Sequence, residues 1–153
     1  MNFLDDYFKY DYNTEVSGLT FQLNVFYIYK LFLHYKKNII VLTSSLYEAN
    51  KLYNALSVIN NSTLIFPMDD FLSSVIVAKS PELKYKRLET LDKISNNNNI
   101  IVTNLMGYLK YLPNKDVDNS VVINKNLNIK RDDLVTKFID LGYKKETIVT
   151  TSG

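Results

Sequence analysis

Few residues in this chain could carry chemistry. Holding a nucleotide takes glycines whose backbone N–H groups wrap the phosphates, a lysine for the outer phosphates and a Ser or Thr hydroxyl for magnesium. The stretch placed for that role, ahead of a helical segment, reads Gly18-Leu19-Thr20-Phe21-Gln22-Leu23-Asn24-Val25. Gly18 and Thr20 suit the pattern. Phe21 and Leu23 stand where glycines belong, Asn24 stands for the lysine and Val25 for the magnesium hydroxyl. Bulky side chains block such a cradle and the phosphate-binding charge is gone, so the stretch reads as a degenerate phosphate loop with no cofactor. Asp69-Asp70 could form a metal or acid–base pair, but no histidine or third acid lies at ligand spacing, and adjacent carboxylates are ordinary in a solvated loop. His34, the only histidine, comes late in a helical stretch, where it suits the C-terminal dipole. Ser44-Ser45 and Ser73-Ser74 lack both the G-x-S-x-G elbow and a base. No catalytic or metal-ligating residue is assigned.

The charge balance points the same way. Eighteen basic and sixteen acidic residues leave a net charge of +2, without the basic excess or stripe expected of a dedicated nucleic-acid binder. Lys84, Lys86 and Arg87, and the pair Lys144-Lys145, read as solvated faces. The 12 tyrosines are scattered rather than interleaved with basic residues; Tyr108, Lys110 and Tyr111 come nearest to a stacking platform. With no cysteine, disulfides and thiolate metal sites are excluded, which fits a reducing cytosol. The apolar run Leu19–Leu33 is broken by Gln22, Asn24 and Lys30, short of the roughly 20 mainly apolar residues that span a bilayer. The acidic, aromatic N-terminus does not read as a signal peptide.

The elements that would position these residues alternate. Residues 2–10 suit a short helix, and Glu15–Thr20 a first strand end and turn. Phe21–Tyr35 follows as a helix apolar almost all round, expected to be buried on several sides. Asn38–Thr43 is a continuous apolar run, the pattern of a central parallel strand covered on both faces. Ser45-Leu46-Tyr47-Glu48 is a capping box opening a helix to about Ile59 with a Leu46, Ala49, Tyr53, Leu56 stripe. Thr63–Phe66 is a strand stopped by Pro67. Ser80-Pro81-Glu82 starts a helix with Leu83, Leu88, Leu91 and Ile94 inward and Glu82–Lys86 and Glu89–Lys93 as outward pairs. Ile100–Thr103 is a further buried strand, and Asn104–Leu112 a short helix. Then come a polar break, a strand at Ser120–Ile123, a helix at Arg131–Leu141 stopped by Gly142, and an extended Lys145–Thr150. At 153 residues with 46% apolar content, this is a globular α/β chain with a mostly parallel sheet and flanking helices. Ligands of such folds sit at the carboxyl ends of the strands, here near Thr43, Pro67 and Thr103. That edge, lined by Phe66, Met68 and Phe71, is expected to be filled or to meet another domain.

Residues Leu64–Leu91 carry the most specific pattern: Phe66-Pro67, the acidic-aromatic Asp69-Asp70-Phe71, Ser80-Pro81-Glu82 and Arg87-Leu88. In this order and spacing they resemble the N-terminal region of the bacterial transcription-repair coupling factors (Mfd), of low-GC Gram-positive type, in the part homologous to the excision nuclease subunit UvrB. The similarity runs from about Gly18 to Gly153. It implies a degenerate P-loop-like domain over 1–113, a linker at 114–119, and over 120–153 the start of a small second α/β domain of UvrA-binding type, expected to be incomplete. For a whole protein of this family it implies ATP-driven DNA translocation that displaces stalled RNA polymerase and recruits UvrA for nucleotide excision repair in the cytoplasm, with ATP and magnesium held in a C-terminal motor. For these residues it implies a non-catalytic module whose partners are UvrA and the parent's other domains, with RNA polymerase and DNA met only through the parent and no membrane. UvrB's DNA-gripping hairpin has no counterpart in the short Met68–Lys79 loop. The family's UvrA-contacting residues fall beyond the position matching Gly153, which leaves Arg131, Lys144 and Lys145 as the candidate partner-binding residues. Two alternatives stand beside this reading. One is a P-loop NTPase or helicase fragment active on its own, opposed by Asn24. The other is a DNA-binding module, opposed by the weak charge and the missing hairpin.

Overall fold

The computed structural model describes residues 10–70, 81–94, 98–112, 121, 123–125 and 128–147. The chain divides into two compact units, residues 1–110 and 111–153. In the first, α1 (Phe21–Tyr35), β1 (Ile39–Thr43), α2 (Leu46–Ile59), β2 (Thr63–Phe66), α3 (Pro81–Ile94), β3 (Ile100–Asn104) and α4 (Leu105–Tyr108) follow in order. The three strands form a parallel sheet in the order β1-β3-β2. Ile39 to Thr43 pair with Ile100 to Asn104, and Thr63 to Phe66 with Ile100 to Thr103. The architecture is α/β with an all-parallel sheet, as the alternating pattern predicts.

The central strand is β3, with all five residues buried. β1 was expected there from its apolar run. It is an edge strand instead, with Ile40 58% and Leu42 48% exposed. An apolar run marks a strand able to be covered on both faces; it carries no information on which neighbours arrive. α2 crosses the sheet, touching β1, β2 and β3. Its buried residues are Ala49, Leu52 and Leu56; Tyr53 of the predicted stripe packs half-buried against this core, which Leu52 joins. Val25 and Ile28 of α1 complete a core with Ile100 and Val102. They are the only buried residues of α1; Leu23, Phe26 and Leu33 are exposed. α1 packs chiefly on α2, so the side of this all-round apolar helix that carries Leu23, Phe26 and Leu33 is left open.

The caps follow the sequence with one shift. The Ser45 hydroxyl accepts from the Glu48 N–H at 3.2 Å, but the Glu48 carboxylate accepts from the backbone N–H and hydroxyl of Ser44, one residue earlier than a capping box requires. Of the predicted outward pairs, Lys93–Glu89 closes at 2.6 Å, and that hydrogen bond holds the lysine above its ordinary pKa. Ser80, Phe71 and Ser73-Ser74 lie outside the described residues, as do 2–9, the loop from 71 to 80, and 114–119.

Other expectations are corrected. Residues 15–20 form no strand; with exposed Val16 and mostly polar neighbours, they have no ladder partner among the described strands. α4 spans four residues, not Asn104–Leu112, because Gly107 lowers helix propensity at its centre. In the second unit Val121 and Ile123 are not in a strand, and residues 145–147 are irregular; Ser120, Val122 and 148–150 lie outside the described residues. The helix there, α5 (Arg131–Asp140), buries no residue fully. Its end is built as expected. Gly142 takes φ +90°, its N–H donates to the Ile139 carbonyl, and the Tyr143 N–H donates to that of Phe138, both at 2.9 Å. Phe138 and Tyr143 meet edge to face at 5.4 Å. This is a Schellman closure with its apolar contact.

Candidate functional site

The carboxyl edge of the sheet is where a ligand would be sought, and the chain's own polar groups fill it. Asn104 ends β3 with none of its surface exposed. Its side-chain oxygen accepts from the N–H of Met68 at 3.1 Å and of Gly107 at 3.3 Å. Its amide nitrogen donates to the Met68 carbonyl and to Oδ1 of Asp70, both at 2.7 Å. The Asp70 carboxylate in turn accepts from the Leu46 N–H at 2.8 and 2.9 Å. A helix N-terminus offers free N–H groups and a positive dipole end to anions. At α2 that position is taken by a carboxylate from the same chain. The Thr103 hydroxyl donates to the Phe66 carbonyl at 2.7 Å, and Pro67 is fully buried. A Cβ at Gly107 would stand 2.4 Å from Oγ1 of Thr103 and 2.8 Å from the Phe66 oxygen, so only glycine lets α4 close on this edge.

Helix α3 seals the outer edge of β2 through two polar residues. Residues 63 and 65 of β2 point their carbonyls away from β3, because the Ile100 N–H donates to Ser62 and the pairing alternates. The Thr90 hydroxyl lies 2.6 Å from the Ile65 carbonyl oxygen, and Nη1 of Arg87 donates to the Pro67 carbonyl at 2.9 Å. Burial pushes the Arg87 guanidinium below its ordinary range, opposed by the Asp69 carboxylate. Arg87 therefore faces inward, not into solvent with Lys84 and Lys86, while Leu88, expected inward, is exposed.

At the degenerate loop, Gly18 has φ +76° and the Thr20 hydroxyl caps α1 by accepting from the Leu23 N–H at 3.4 Å. Phe21 is half-buried, with Nζ of Lys51 4.5 Å from its ring centre. Leu19 is half-buried; Gln22, Leu23 and Asn24 are exposed on the first turn and Val25 is buried. A cleft of about 580 Å³ lies beside the loop, lined by Asp11, Tyr12, Asn24 and Tyr35 among others. His34 stacks on Tyr10 at 4.7 Å and meets Tyr35 edge-on, an aromatic cluster in place of a dipole role alone. Among the described residues no group of three or more His, Cys, Asp or Glu could hold a metal ion.

Arg131 opens α5, and Lys144 and Lys145 follow its end; all three are exposed. Ten residues at 1.5 Å each put the helix ends roughly 15 Å apart, so Arg131 stands at the opposite end of α5 from Lys144 and Lys145. Tyr108 and Tyr111 are both exposed. Sequence reasoning missed Asn104 and Thr90 and set Asp70 in a solvated loop, where the structure bonds it to Leu46 and Asn104. Asn104-x-x-Gly107 is a readable helix cap, whereas Asp70 reaches α2 across 24 residues with no local signal.

The described residues define a small α/β domain with an all-parallel three-stranded sheet whose strand ends are occupied by the chain's own polar groups. The proteins it is similar to are transcription-repair-coupling factors. That of Staphylococcus haemolyticus is 27% identical over 155 aligned residues, covering 98% of this chain and 13% of that protein. That of Bacillus subtilis is 28% identical over 122 residues, covering 76% of this chain and 10% of that protein. That of Staphylococcus aureus strain USA300 is 25% identical over 92% of this chain. The resemblance read from residues 64–91 thus extends over nearly the whole chain, which spans about an eighth of the length of these relatives. No family model matches the chain, and no solved structure matches it. No helix among the described residues is long and apolar enough to cross a membrane.

Proposed function

We propose that this chain is the non-catalytic, UvrB-like N-terminal module of a transcription-repair coupling factor. The whole protein would displace stalled RNA polymerase by ATP-driven translocation on DNA and recruit UvrA for nucleotide excision repair in the cytoplasm. The observation that carries the reading is similarity to coupling factors over 98% of the chain. The occupied carboxyl edge supports the non-catalytic part: Asp70 sits on the α2 N-terminus, and no lysine stands in the first turn of α1. ATP and magnesium belong to the parent's motor, and the second unit, with Arg131, Lys144 and Lys145, is the side that leads toward UvrA.

The test is a UvrA pull-down with the 153-residue chain beside a version extended by roughly 60 residues along the parent sequence, about a further half-domain. Binding by the extended form alone is expected. Equal binding by the short form would place the contact within residues 1–153, with Arg131, Lys144 and Lys145 examined first. Binding by neither removes the recruitment role. Magnesium and ATP should leave the melting temperature of the short chain unchanged, since a ligand that binds only the native state must raise it; a rise would favour the NTPase reading.

A further inference from the structure

A second cleft, of about 510 Å³, lies between α2, β2 and α3, and Tyr53, Thr63, Lys86, Glu89, Thr90 and Lys93 are among its lining residues. Positions 86, 89, 90 and 93 fall on one face of α3, because residues three and four apart share a side of a helix. Thr90 is engaged with the Ile65 carbonyl and Lys93 with Glu89. Lys86 is exposed, and its ammonium group closes no ion pair among the described residues. Of the two lysines and one carboxylate in the cleft, Lys86 therefore carries the uncompensated charge. Thr63, on the strand side, is 5% exposed, and its hydroxyl finds no hydrogen-bond partner among the described residues. A buried hydroxyl left unpaired works against the fold, and here it borders a cleft. Tyr53, half-buried against the core, adds an apolar wall.

We propose that this cleft binds an acidic peptide segment. An aspartate or glutamate carboxylate of the peptide pairs with Lys86 and accepts from the Thr63 hydroxyl, and a neighbouring apolar residue lies on the Tyr53 ring. The charges select a carboxylate over a phosphate group. One uncompensated lysine balances a single negative charge, and the Glu89 carboxylate in the same cleft repels a dianion or a polyanion. A single free cation beside an apolar wall matches an acidic side chain next to an apolar one, which a peptide presents and an inorganic anion does not. Every residue of the site belongs to the first unit, so it draws on none of Arg131, Lys144 and Lys145.

The full chain, isotope-labelled, is titrated at low salt with a capped leucine–glutamate dipeptide, with its leucine–glutamine counterpart and with inorganic phosphate, following the backbone amides of Thr63, Ile65, Glu89 and Thr90. The glutamate peptide should shift these amides with a dissociation constant of roughly 1–10 mM and bind more weakly as salt rises. The glutamine peptide should bind about fivefold more weakly, and Lys86→Gln should bring the two peptides to equal affinity. Thr63→Val should weaken the glutamate peptide about threefold while the melting temperature holds or rises, because a methyl replaces an unpaired hydroxyl. A threonine with a structural role alone would do the reverse. Unmoved amides, equal affinity of the wild type for both peptides, tighter binding of phosphate than of the glutamate peptide, or a Thr63→Val chain that loses stability and keeps its peptide affinity would each overturn the proposal.

Discussion

Replacing Asn104 by aspartate changes one atom's chemistry at a site with no exposed surface. The amide nitrogen donates at 2.7 Å to the Met68 carbonyl and at 2.7 Å to Oδ1 of Asp70. In Asn104→Asp an oxygen stands there, facing two acceptors. With at most one proton in place of two, at least one hydrogen bond worth ~1 kcal/mol is lost. Two carboxylates at that distance cannot both ionise, so the introduced carboxyl group must hold a proton at neutral pH. Like-charge carboxylate pairs separate their titrations by about 3 units, and each unit is about 1.4 kcal/mol. With partial relaxation the cost at pH 7 is roughly 3–5 kcal/mol, or a fall of at least ~12 °C for a domain of about 100 residues. The pH dependence has a fixed sign. The introduced group has a higher pKa folded than unfolded, so its penalty is absent below the unfolded value of about 3.9 and grows as pH rises toward the folded value. Thermal unfolding followed by circular dichroism should show a deficit relative to wild type that is largest at neutral pH and narrows toward pH ~4.5. A melting temperature within a degree or two of wild type at pH 7, or a deficit that does not shrink in acid, would refute the network as drawn.

Three further outcomes follow from the same geometry. Gly107→Ala forces a Cβ to 2.4 Å from Oγ1 of Thr103 and should cost about 2–3 kcal/mol, read by urea unfolding. Thr90→Val keeps the shape but leaves the Ile65 carbonyl without its 2.6 Å partner; about 1–2 kcal/mol should be lost, with amide exchange accelerating in β2 ahead of β3. Gly142→Ala meets no atom within 4 Å but holds φ +90°, so about 1 kcal/mol should be lost from α5 alone, seen as faster exchange at Gly142 and Tyr143 amides with the first unit unchanged.

Local chemistry made much of this legible. β2 spans Thr63–Phe66 as its apolar run and Pro67 dictate, Ser45 caps α2, and Gly142 closes α5. What the sequence could not carry was the arrangement of neighbours. Nothing in Ile39–Thr43 distinguishes an edge from a centre, because the same apolar run serves either. Periodicity placed Leu88 inward by its type. The helix instead turns Arg87 and Thr90 to the sheet, because carbonyls on an outer strand edge need donors more than the core needs another leucine. The plug at the carboxyl edge joins Asn104, Met68, Asp70 and Leu46, residues that only the folded sheet brings together. Sequence predicted an edge either filled or turned to another domain; which atoms fill it is a property of the tertiary structure.

Helix α3 also makes the sheet's two flanks unequal. Thr90 and Arg87 engage the outward carbonyls beyond β2, and the neighbouring Lys93–Glu89 pair sets charges on that side. An intruding strand would have to displace donors already engaged. A sheet open on both flanks can add copies without limit, as fibrils do. The threonine and arginine that look like minor repairs to a strand edge thus act as a stop on growth at the β2 flank.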